Sequence, residues 1–270
     1  MLKDISLGRF YPADSPIHRL DPRAKILATV VLMVLVFLAN DVWTFVAYAA
    51  FSAVCILLSR IPVVHVFKSV KPILFLIVFA FLLNVFSGKG EAFLTLGPLS
   101  ATWDGLWTGL RMAARLTLLI ATSSLLTLTT TPILVADAME RMMKPLQRIG
   151  FPAHEMAMMM SIALRFVPTL VEETDKIMKA QSSRGADYDT GGILRRARGL
   201  VSVLVPLFIG SFRRADELAV AMEARCYRGG EGRTRLRVMR LAPRDGVAAA
   251  VMLAFSAAVV WLEYLRAALP

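Results

Sequence analysis

The stretch PILFLIVFAFLLNVF, residues 72–86, is apolar at every position except Asn84. A run without any charge that is this rich in Leu, Ile and Phe is typical of a helix that crosses a lipid bilayer. The segment before it is basic, and the connection after it, residues 87–104, is rich in glycine and carries Glu91 and Asp104. Because cytoplasmic loops are enriched in basic residues, the preceding segment is predicted to be a cytoplasmic loop. Its basic residues are Arg60, His65, Lys68 and Lys71.

Four further apolar runs lie on either side of this stretch. They are Ile26–Ala39, Val42–Leu58, Gly105–Leu128 and Gly246–Leu262. Together the five runs predict five membrane spans and a cytoplasmic N-terminus. The first two runs fall short of the roughly 20 residues that a spanning helix needs, so Lys25 and Arg60 are expected to snorkel and extend them.

A shorter apolar stretch, Val201–Gly210, contains Pro206 and has too few residues to cross a bilayer. We interpret it as a buried or interfacial helix segment, with a sixth crossing as the alternative. The last span follows a basic stretch and is therefore predicted to enter from the cytoplasmic side. The basic residues are Arg235, Arg237, Arg240 and Arg244.

Composition agrees with this pattern, since 57% of the 270 residues are hydrophobic and the formal net charge is +11. Nucleic-acid binding could explain that charge, but the basic residues lie beside apolar runs, so membrane orientation explains it more simply. The two cysteines and three histidines have no spacing typical of a metal or redox site. No phosphate-binding loop of the P-loop type occurs, so the sequence does not predict an ATP-hydrolysing enzyme.

Residues 131–245 alternate apolar and charged positions, which predicts amphipathic helices at or below the membrane surface. One helix carries a methionine-rich face that includes Met156, Met159, Met160 and Ala163. Considered alone, such a face indicates core packing, but flexible thioethers also suit an interface that repacks against partners. A second helix is predicted over Phe212–Arg225, where Glu217 can pair with Arg213 or Arg214.

Both helices are predicted to end alike, with a small residue before an arginine. The first end reads Ser183-Arg184-Gly185 and the second Ala224-Arg225-Cys226. One such end is explained by a basic residue that complements the helix dipole and a glycine cap. Two of them would also suit a membrane subunit that engages two similar cytoplasmic subunits through arginine–carboxylate pairs.

Four segments resemble the T component of energy-coupling factor transporters over nearly the whole chain. They are YPADSPIHRLDPRAKI (residues 11–26), TSSLLTLTTTPILVADAMERMMKPLQRIGFP (122–152), SIALRFVPTLVEETDKIMKAQSSRGAD (161–187) and FRRADELAVAMEARCYRGGEGRTRLR (212–237). The resemblance implies an all-α, polytopic membrane protein with long amphipathic cytoplasmic coupling helices. Its expected parts are a cytoplasmic N-terminal segment (1–25), four transmembrane helices (26–128), a coupling region (129–245) and a last transmembrane helix (246–270).

In that family, the two coupling helices end in Ala-Arg-Gly motifs whose arginines contact acidic residues on two ATP-binding-cassette (ABC) ATPases. The resemblance therefore assigns ATPase coupling to Ser183, Arg184, Gly185, Ala224, Arg225 and Cys226. Alanine is usual at Ser183 and glycine at Cys226. A cap with positive φ suits glycine better than cysteine, so the second helix is expected to end later, towards Gly229 and Gly230.

The resemblance also implies the partners and the location. They are two ABC ATPases that bind ATP and Mg²⁺, one substrate-binding S component or several that exchange, and the lipid bilayer of a bacterial or archaeal cytoplasmic membrane. No cofactor and no nucleic acid is expected for this chain. The methionine-rich face is the candidate S-component interface, and the expected cargo is a vitamin or similar micronutrient.

Two other functions remain open at this point. The membrane subunit of cobalt or nickel uptake systems shares the fold and the coupling motifs. An autonomous secondary transporter would normally need ionisable groups near the bilayer midplane, and the apolar runs contain no carboxylate in mid-span.

Overall fold

The computed structural model describes residues 10–88, 92–96, 99–186, 192–229 and 242–268. Within these ranges the chain is almost entirely helical, which confirms the predicted all-α membrane fold. The α-helices are α1 (Pro22–Leu38), α2 (Val42–Leu58), α3 (Val63–Val70), α4 (Leu74–Ser87), α5 (Trp103–Thr129), α6 (Pro132–Met143), α7 (Ala153–Ser183), α8 (Ile193–Ala224) and α9 (Pro243–Ala268). Two short strands, β1 (Ala92–Leu96) and β2 (Leu99–Thr102), pair antiparallel between α4 and α5.

Among the described residues, three helical segments are long and apolar enough to cross a bilayer. They are Val63–Ser87, Trp103–Thr129 and Pro243–Leu265. Helices α1 and α2 have 17 residues each, and α2 is also apolar. The total of five spans stays a prediction. The same is true of the orientation, because Glu91, Arg235, Arg237 and Arg240 lie outside the described residues.

Helix α1 begins before the apolar run, because Asp21 caps it. The Asp21 side chain accepts the N–H of Arg23 at 2.9 Å, and Pro22 occupies the first turn, where its missing N–H costs nothing. The predicted loop between Arg60 and Lys71 is also mostly helical, since α3 fills Val63–Val70 and a 3₁₀ turn joins it to α4.

The chain folds into two compact units. One comprises residues 8–135 and 238–270 and is called the membrane unit below. The other comprises residues 1–7 and 136–237 and is called the amphipathic unit. The membrane unit contains α1–α5 and α9, and the amphipathic unit contains most of α6 together with α7 and α8.

The core of the membrane unit lies where α1, α2, α5 and α9 meet. Val36, Tyr48 and Val259 are almost fully buried there, and the ring of Phe51 stacks on Phe255 with 4.1 Å between centroids. The Tyr48 hydroxyl is hydrogen-bonded to Thr122 Oγ1 at 2.9 Å. Without this partner, the buried hydroxyl would destabilise the fold.

Helices α4 and α5 approach each other closely at Gly105. A Cβ atom at that position would lie 2.6 Å from the carbonyl oxygen of Asn84 and 2.7 Å from that of Val85. Small residues allow membrane helices to pack with their backbones near each other. Glycine at this position is therefore a requirement of the α4–α5 packing.

Large apolar side chains point away from this core. Trp43, Phe75 and Leu253 are exposed to 70%, 79% and 71%. In a water-soluble protein such a surface would associate or aggregate. In a membrane protein it is the surface that contacts lipid, which agrees with the apolar spans.

Lys25 does not snorkel, which makes the prediction for this residue wrong. It is 7% exposed, and its Nζ donates to the carbonyl oxygens of His18 at 3.1 Å and Thr129 at 3.0 Å and to Thr130 Oγ1 at 3.3 Å. Three acceptors satisfy the ammonium group inside the protein, so the side chain need not reach the membrane surface.

Polar side chains also connect the ends of helices in the membrane unit. Glu263 of α9 accepts the backbone N–H groups of Asn40 and Asp41 at 2.9 and 3.2 Å. Arg115 of α5 donates to the carbonyl oxygen of Ala39 at 2.7 Å. The turn between α1 and α2 is thus bound to both α5 and α9.

Candidate functional site

The first arginine-containing helix end closes α7. Arg184 is the C-cap residue, and Gly185 follows it in the left-handed region with φ +88°. The N–H of Ala186 donates to Gln181 O at 2.9 Å and the N–H of Gly185 to Ser182 O at 3.0 Å. These two bonds define a Schellman motif. Ser183 directs its hydroxyl back to Lys179 O at 3.1 Å, so the serine fits within the last turn.

The second end closes α8 in the same way. Arg225 is the C-cap residue, and Cys226 takes the left-handed conformation with φ +54°. The N–H of Tyr227 donates to Met222 O at 3.1 Å, and the N–H of Cys226 donates to Glu223 O at 2.8 Å. This is again a Schellman motif, with cysteine where the first end has glycine.

The expectation that α8 continues towards Gly229 and Gly230 is therefore wrong. The helix ends at Ala224, because the two cap bonds form despite the cysteine side chain. A non-glycine residue at positive φ is uncommon, and it costs roughly 1 kcal/mol or more relative to the right-handed conformation. Gly230 itself lies outside the described residues.

Arg184 and Arg225 have equivalent places in their helices, and both are exposed. Each lies beside the last carbonyl groups, at the negative end of the helix dipole. An exposed guanidinium held by an ordered turn can bind a carboxylate through two parallel hydrogen bonds. The structure thus gives both predicted arginines the same local geometry.

Helices α7 and α8 pack against each other within the amphipathic unit. At their contact, Arg214 Nη2 lies 2.6 Å from Glu173 Oε2, and both side chains are about one-third exposed or less. A Cβ atom at Gly210 would lie 3.3 Å from Glu173 Oε1, so glycine leaves room for the glutamate. The predicted pairing of Glu217 is with Arg213, one turn earlier and at 3.4 Å.

The continuity of α8 corrects the interpretation of Val201–Gly210. Those residues form no separate short segment, because they lie in the middle of the 32-residue helix α8. Pro206 is accommodated inside the helix, and only Val203 of this stretch is fully buried. The sequence contained the amphipathic pattern, but the proline concealed the continuity of the helix.

The methionine-rich face of α7 is exposed. Met156, Met159 and Met160 are exposed to 42%, 59% and 52%, and Ala163 is exposed as well. The neighbouring Ala157 is instead buried. Core packing within this chain is therefore the wrong interpretation of the face, since the helix turns it outward.

His18 and His154 have partners that their sequence positions do not reveal. His18 is bound to Ser15 Oγ at 2.7 Å and to Tyr11 O at 3.0 Å. His154 Nδ1 lies 3.2 Å from Glu140 Oε1, with both side chains mostly buried. No group of metal-binding side chains was found in the described ranges.

Comparisons with known proteins agree with this architecture. Residues 13–236 match the family model described as "Cobalt transport protein". The chain is 51% identical over 264 residues to the "Energy-coupling factor transporter transmembrane protein EcfT" of Ruminiclostridium cellulolyticum, with 98% of this chain and 99% of the relative covered.

Proteins with the same description in two further bacteria are about as similar. The relative in Heliobacterium modesticaldum is 49% identical over 266 residues, covering 98% of this chain and all of the relative. The relative in Acidaminococcus fermentans is 48% identical over 270 residues, covering both chains completely. These similarities confirm the resemblance carried by the four sequence segments. The chain belongs to the family of energy-coupling factor transporter transmembrane proteins, the T components.

Proposed function

We propose that this chain couples two cytoplasmic ABC ATPases to a membrane-embedded S component in the uptake of a vitamin or related micronutrient. The observation that carries the proposal is the repeated geometry of Arg184 and Arg225, each exposed at the C-cap of a long helix. Two similar ATPase subunits require two similar contacts, and these helix ends supply them.

The arginine geometry favours carboxylates on the ATPases as the groups that are bound. Guanidinium groups bind carboxylates bidentately, and the Schellman turns order the backbone from which each arginine projects. Motion of the ATPases on binding and hydrolysing ATP would then move α7 and α8. ATP and Mg²⁺ would be bound by the ATPases, and this chain would act only through its different contacts in the two states.

The methionine-rich face of α7 is our candidate for the S-component interface. Its three exposed methionines and Ala163 form an apolar surface without a partner in the described chain. Thioether side chains adapt to differently shaped partners. This property suits a subunit that serves one S component or several that exchange.

Charge removal at the two helix ends tests ATPase coupling. The variants are Arg184→Gln, Arg225→Gln and their combination, with Arg213→Gln as the matched control, because Arg213 is an exposed arginine of α8 away from both ends. The tagged chain is co-expressed with the ATPases and the S component. We expect each end variant to weaken ATPase recovery and the double variant to abolish both recovery and substrate uptake.

The control should recover the ATPases like the wild-type chain. Circular dichroism checks that all variants keep their helices. Undiminished ATPase binding by the double variant would overturn the proposed role of the arginines.

Cobalt or nickel uptake is the second candidate, because the matching family model is described as a cobalt transport protein. Affinity purification from the native membrane, followed by mass spectrometry, separates the two. Two ABC ATPases together with small membrane proteins that bind a vitamin would support the first function. Recovery of dedicated metal-binding subunits would support the second.

We also propose that the chain lies in the cytoplasmic membrane of its cell with the N-terminus and the two helix ends inside. Cys226 is exposed, whereas Cys55 is half-buried in α2. A membrane-impermeant maleimide should therefore label Cys226 in inverted vesicles and leave it unlabelled in intact cells. Labelling of Cys226 in intact cells would show that the orientation is the opposite of the one proposed.

A further inference from the structure

An open groove of about 560 Å³ lies in the membrane unit between α1, α5 and the turn that joins α3 to α4. Met33 and Phe37 of α1 line one side, and Leu119 and Ile120 of α5 line another. Its wall is largely apolar, and three of the four hydroxyl groups that line it donate to the backbone of their own helices. The bonds are Ser124 Oγ to Ala121 O at 2.9 Å, Thr127 Oγ1 to Ser123 O at 3.2 Å and Ser69 Oγ to His65 O at 3.2 Å.

The groove has the length of one lipid leaflet. Along α5 it extends from Leu119 to Leu128, which is roughly 14 Å at 1.5 Å per residue. The hydrocarbon core of a bilayer is about 30 Å thick, so one leaflet contributes about half of that. A partner helix that spans the membrane would need a surface twice as long. The length therefore favours an acyl chain as the occupant.

Two exposed lysines lie close in the chain to residues that line one end of the groove. Ser69 and Ile73 line the groove; Lys68 precedes Ser69, and Lys71 is two positions from both lining residues. The stretch from Val63 to Ile73 contains no acidic residue that could neutralise these lysines. Lysines near a membrane surface attract anionic lipid headgroups, and basic pockets between membrane helices bind them.

We propose that this groove binds an anionic phospholipid, with one acyl chain against α1 and α5 and its phosphate group near Lys68 and Lys71. The groove volume falls within the range of small-molecule sites, about 300–1,000 Å³. The site shares no residue with the proposed ATPase-coupling ends, because none of the residues that line it belongs to α7 or α8. It would hold one lipid of the leaflet that meets the end near Lys68 and Lys71.

Native mass spectrometry of the purified full-length chain tests the proposal. The chain is titrated with phosphatidylglycerol and, separately, with phosphatidylcholine of the same acyl chains. We expect one phosphatidylglycerol to be retained at detergent concentrations that remove phosphatidylcholine. Two variants distinguish the parts of the site: Ser123→Trp fills the groove from an exposed position, and Lys68→Gln/Lys71→Gln removes the charge.

Ser123→Trp should abolish retention of the lipid, and the double lysine variant should weaken phosphatidylglycerol binding roughly tenfold or more. Arg111→Gln, an exposed basic position near the opposite end of α5, is the control and should bind like the wild-type chain. Equal retention of the two lipids, or unchanged binding in both groove variants, would overturn the proposal. A labelling experiment gives one more contradicting outcome. In a Ser123→Cys variant, protection of the cysteine from maleimide by a co-purified membrane protein, but not by lipid, would also overturn the proposal.

Discussion

Asp245 Oδ1 accepts the backbone N–H of Asp21 at 2.8 Å, although the two residues are 224 positions apart. The second oxygen of the same carboxylate accepts the N–H of Ala242 at 2.7 Å. Asp245 is 5% exposed and its bond to Asp21 is buried, so the Asp21 N–H group has no ready access to water as a substitute. One carboxylate therefore binds the start of α9 to the start of α1.

Replacement of Asp245 by alanine should destabilise the membrane unit by about 2 kcal/mol, because it leaves one buried and one partly buried donor without acceptors. Asp245→Asn keeps one acceptor oxygen and should lie between alanine and wild type. The measurement is thermal unfolding in detergent. Asp216→Ala, an exposed position on α8, should change stability by less than about 0.5 kcal/mol. An equal loss in both alanine variants would contradict the role assigned to Asp245.

The same substitution at two glycines should have opposite effects. Gly105→Ala places a Cβ atom within 2.7 Å of two α4 carbonyl oxygens, so the helices must separate at a cost of about 1–3 kcal/mol. Gly246→Ala meets nothing within 4 Å in the first turn of α9 and should stabilise the protein by up to about 1 kcal/mol. Unfolding midpoints in detergent provide the comparison. Stabilisation by Gly105→Ala would show that α4 and α5 are not in tight contact.

The two Schellman caps provide a reciprocal pair of variants. Cys226→Gly removes the penalty of a side chain at positive φ, and Gly185→Ala introduces it. Each change should alter the stability of its helix end by about 1 kcal/mol, upward at Cys226 and downward at Gly185. Hydrogen exchange of the last turns of α8 and α7 measures both effects. If protection in α8 falls after Cys226→Gly, the cysteine side chain must make a stabilising contact that outweighs the strain.

The contact between Glu173 and Arg214 should contribute measurably to the packing of α7 on α8. A double-mutant cycle with Glu173→Gln and Arg214→Gln is expected to give a coupling energy near 1 kcal/mol, the upper range for partly exposed pairs. The matched pair is Arg213 and Glu217, whose side chains are 82% and 67% exposed. That cycle should give roughly 0.3–0.5 kcal/mol. Equal coupling in both cycles would mean that burial adds nothing to the Glu173–Arg214 pair.

The free energy of unfolding should decrease as the pH is lowered below about 6.5, the ordinary pKa of histidine. His18 should account for part of this loss. Burial lowers the pKa of His18, which means that folding favours the neutral ring. The unfolded chain then binds the proton more tightly, so acidification through this range favours unfolding. Thermal unfolding of the wild type and His18→Gln between pH 5 and pH 8 isolates the contribution. Parallel profiles for the two proteins would exclude His18 as its source.

Helices α4, α5 and α9 could be predicted from the sequence, because each contains a long apolar run. The burial of the Lys25 ammonium group could not be predicted. Its three acceptors come from residues 18, 129 and 130, which only the tertiary structure brings together. The outward direction of the methionine-rich face was equally hidden. Periodicity shows that residues share a face, but it does not show whether that face meets the core or the surface.

The arginine-containing ends were found from local sequence, since a Schellman cap depends on only six consecutive residues. Their equivalence depends on backbone geometry, and Cys226 made it difficult to infer. The Glu173–Arg214 contact also escaped prediction, because the sequence offered Glu217 as a partner for either neighbouring arginine. In the structure, α7 supplies a second carboxylate.

The shared left-handed cap determines how related chains should be searched for helix ends of this kind. The only literal Ala-Arg-Gly triplet in this chain is Ala197-Arg198-Gly199, and it lies inside α8, where Gly199 is helical and buried. A text pattern would select that triplet and overlook both Ser183-Arg184-Gly185 and Ala224-Arg225-Cys226. A search based on backbone geometry would instead require an arginine at the C-cap followed by a residue with positive φ. This criterion selects the two helix ends and excludes the triplet inside α8.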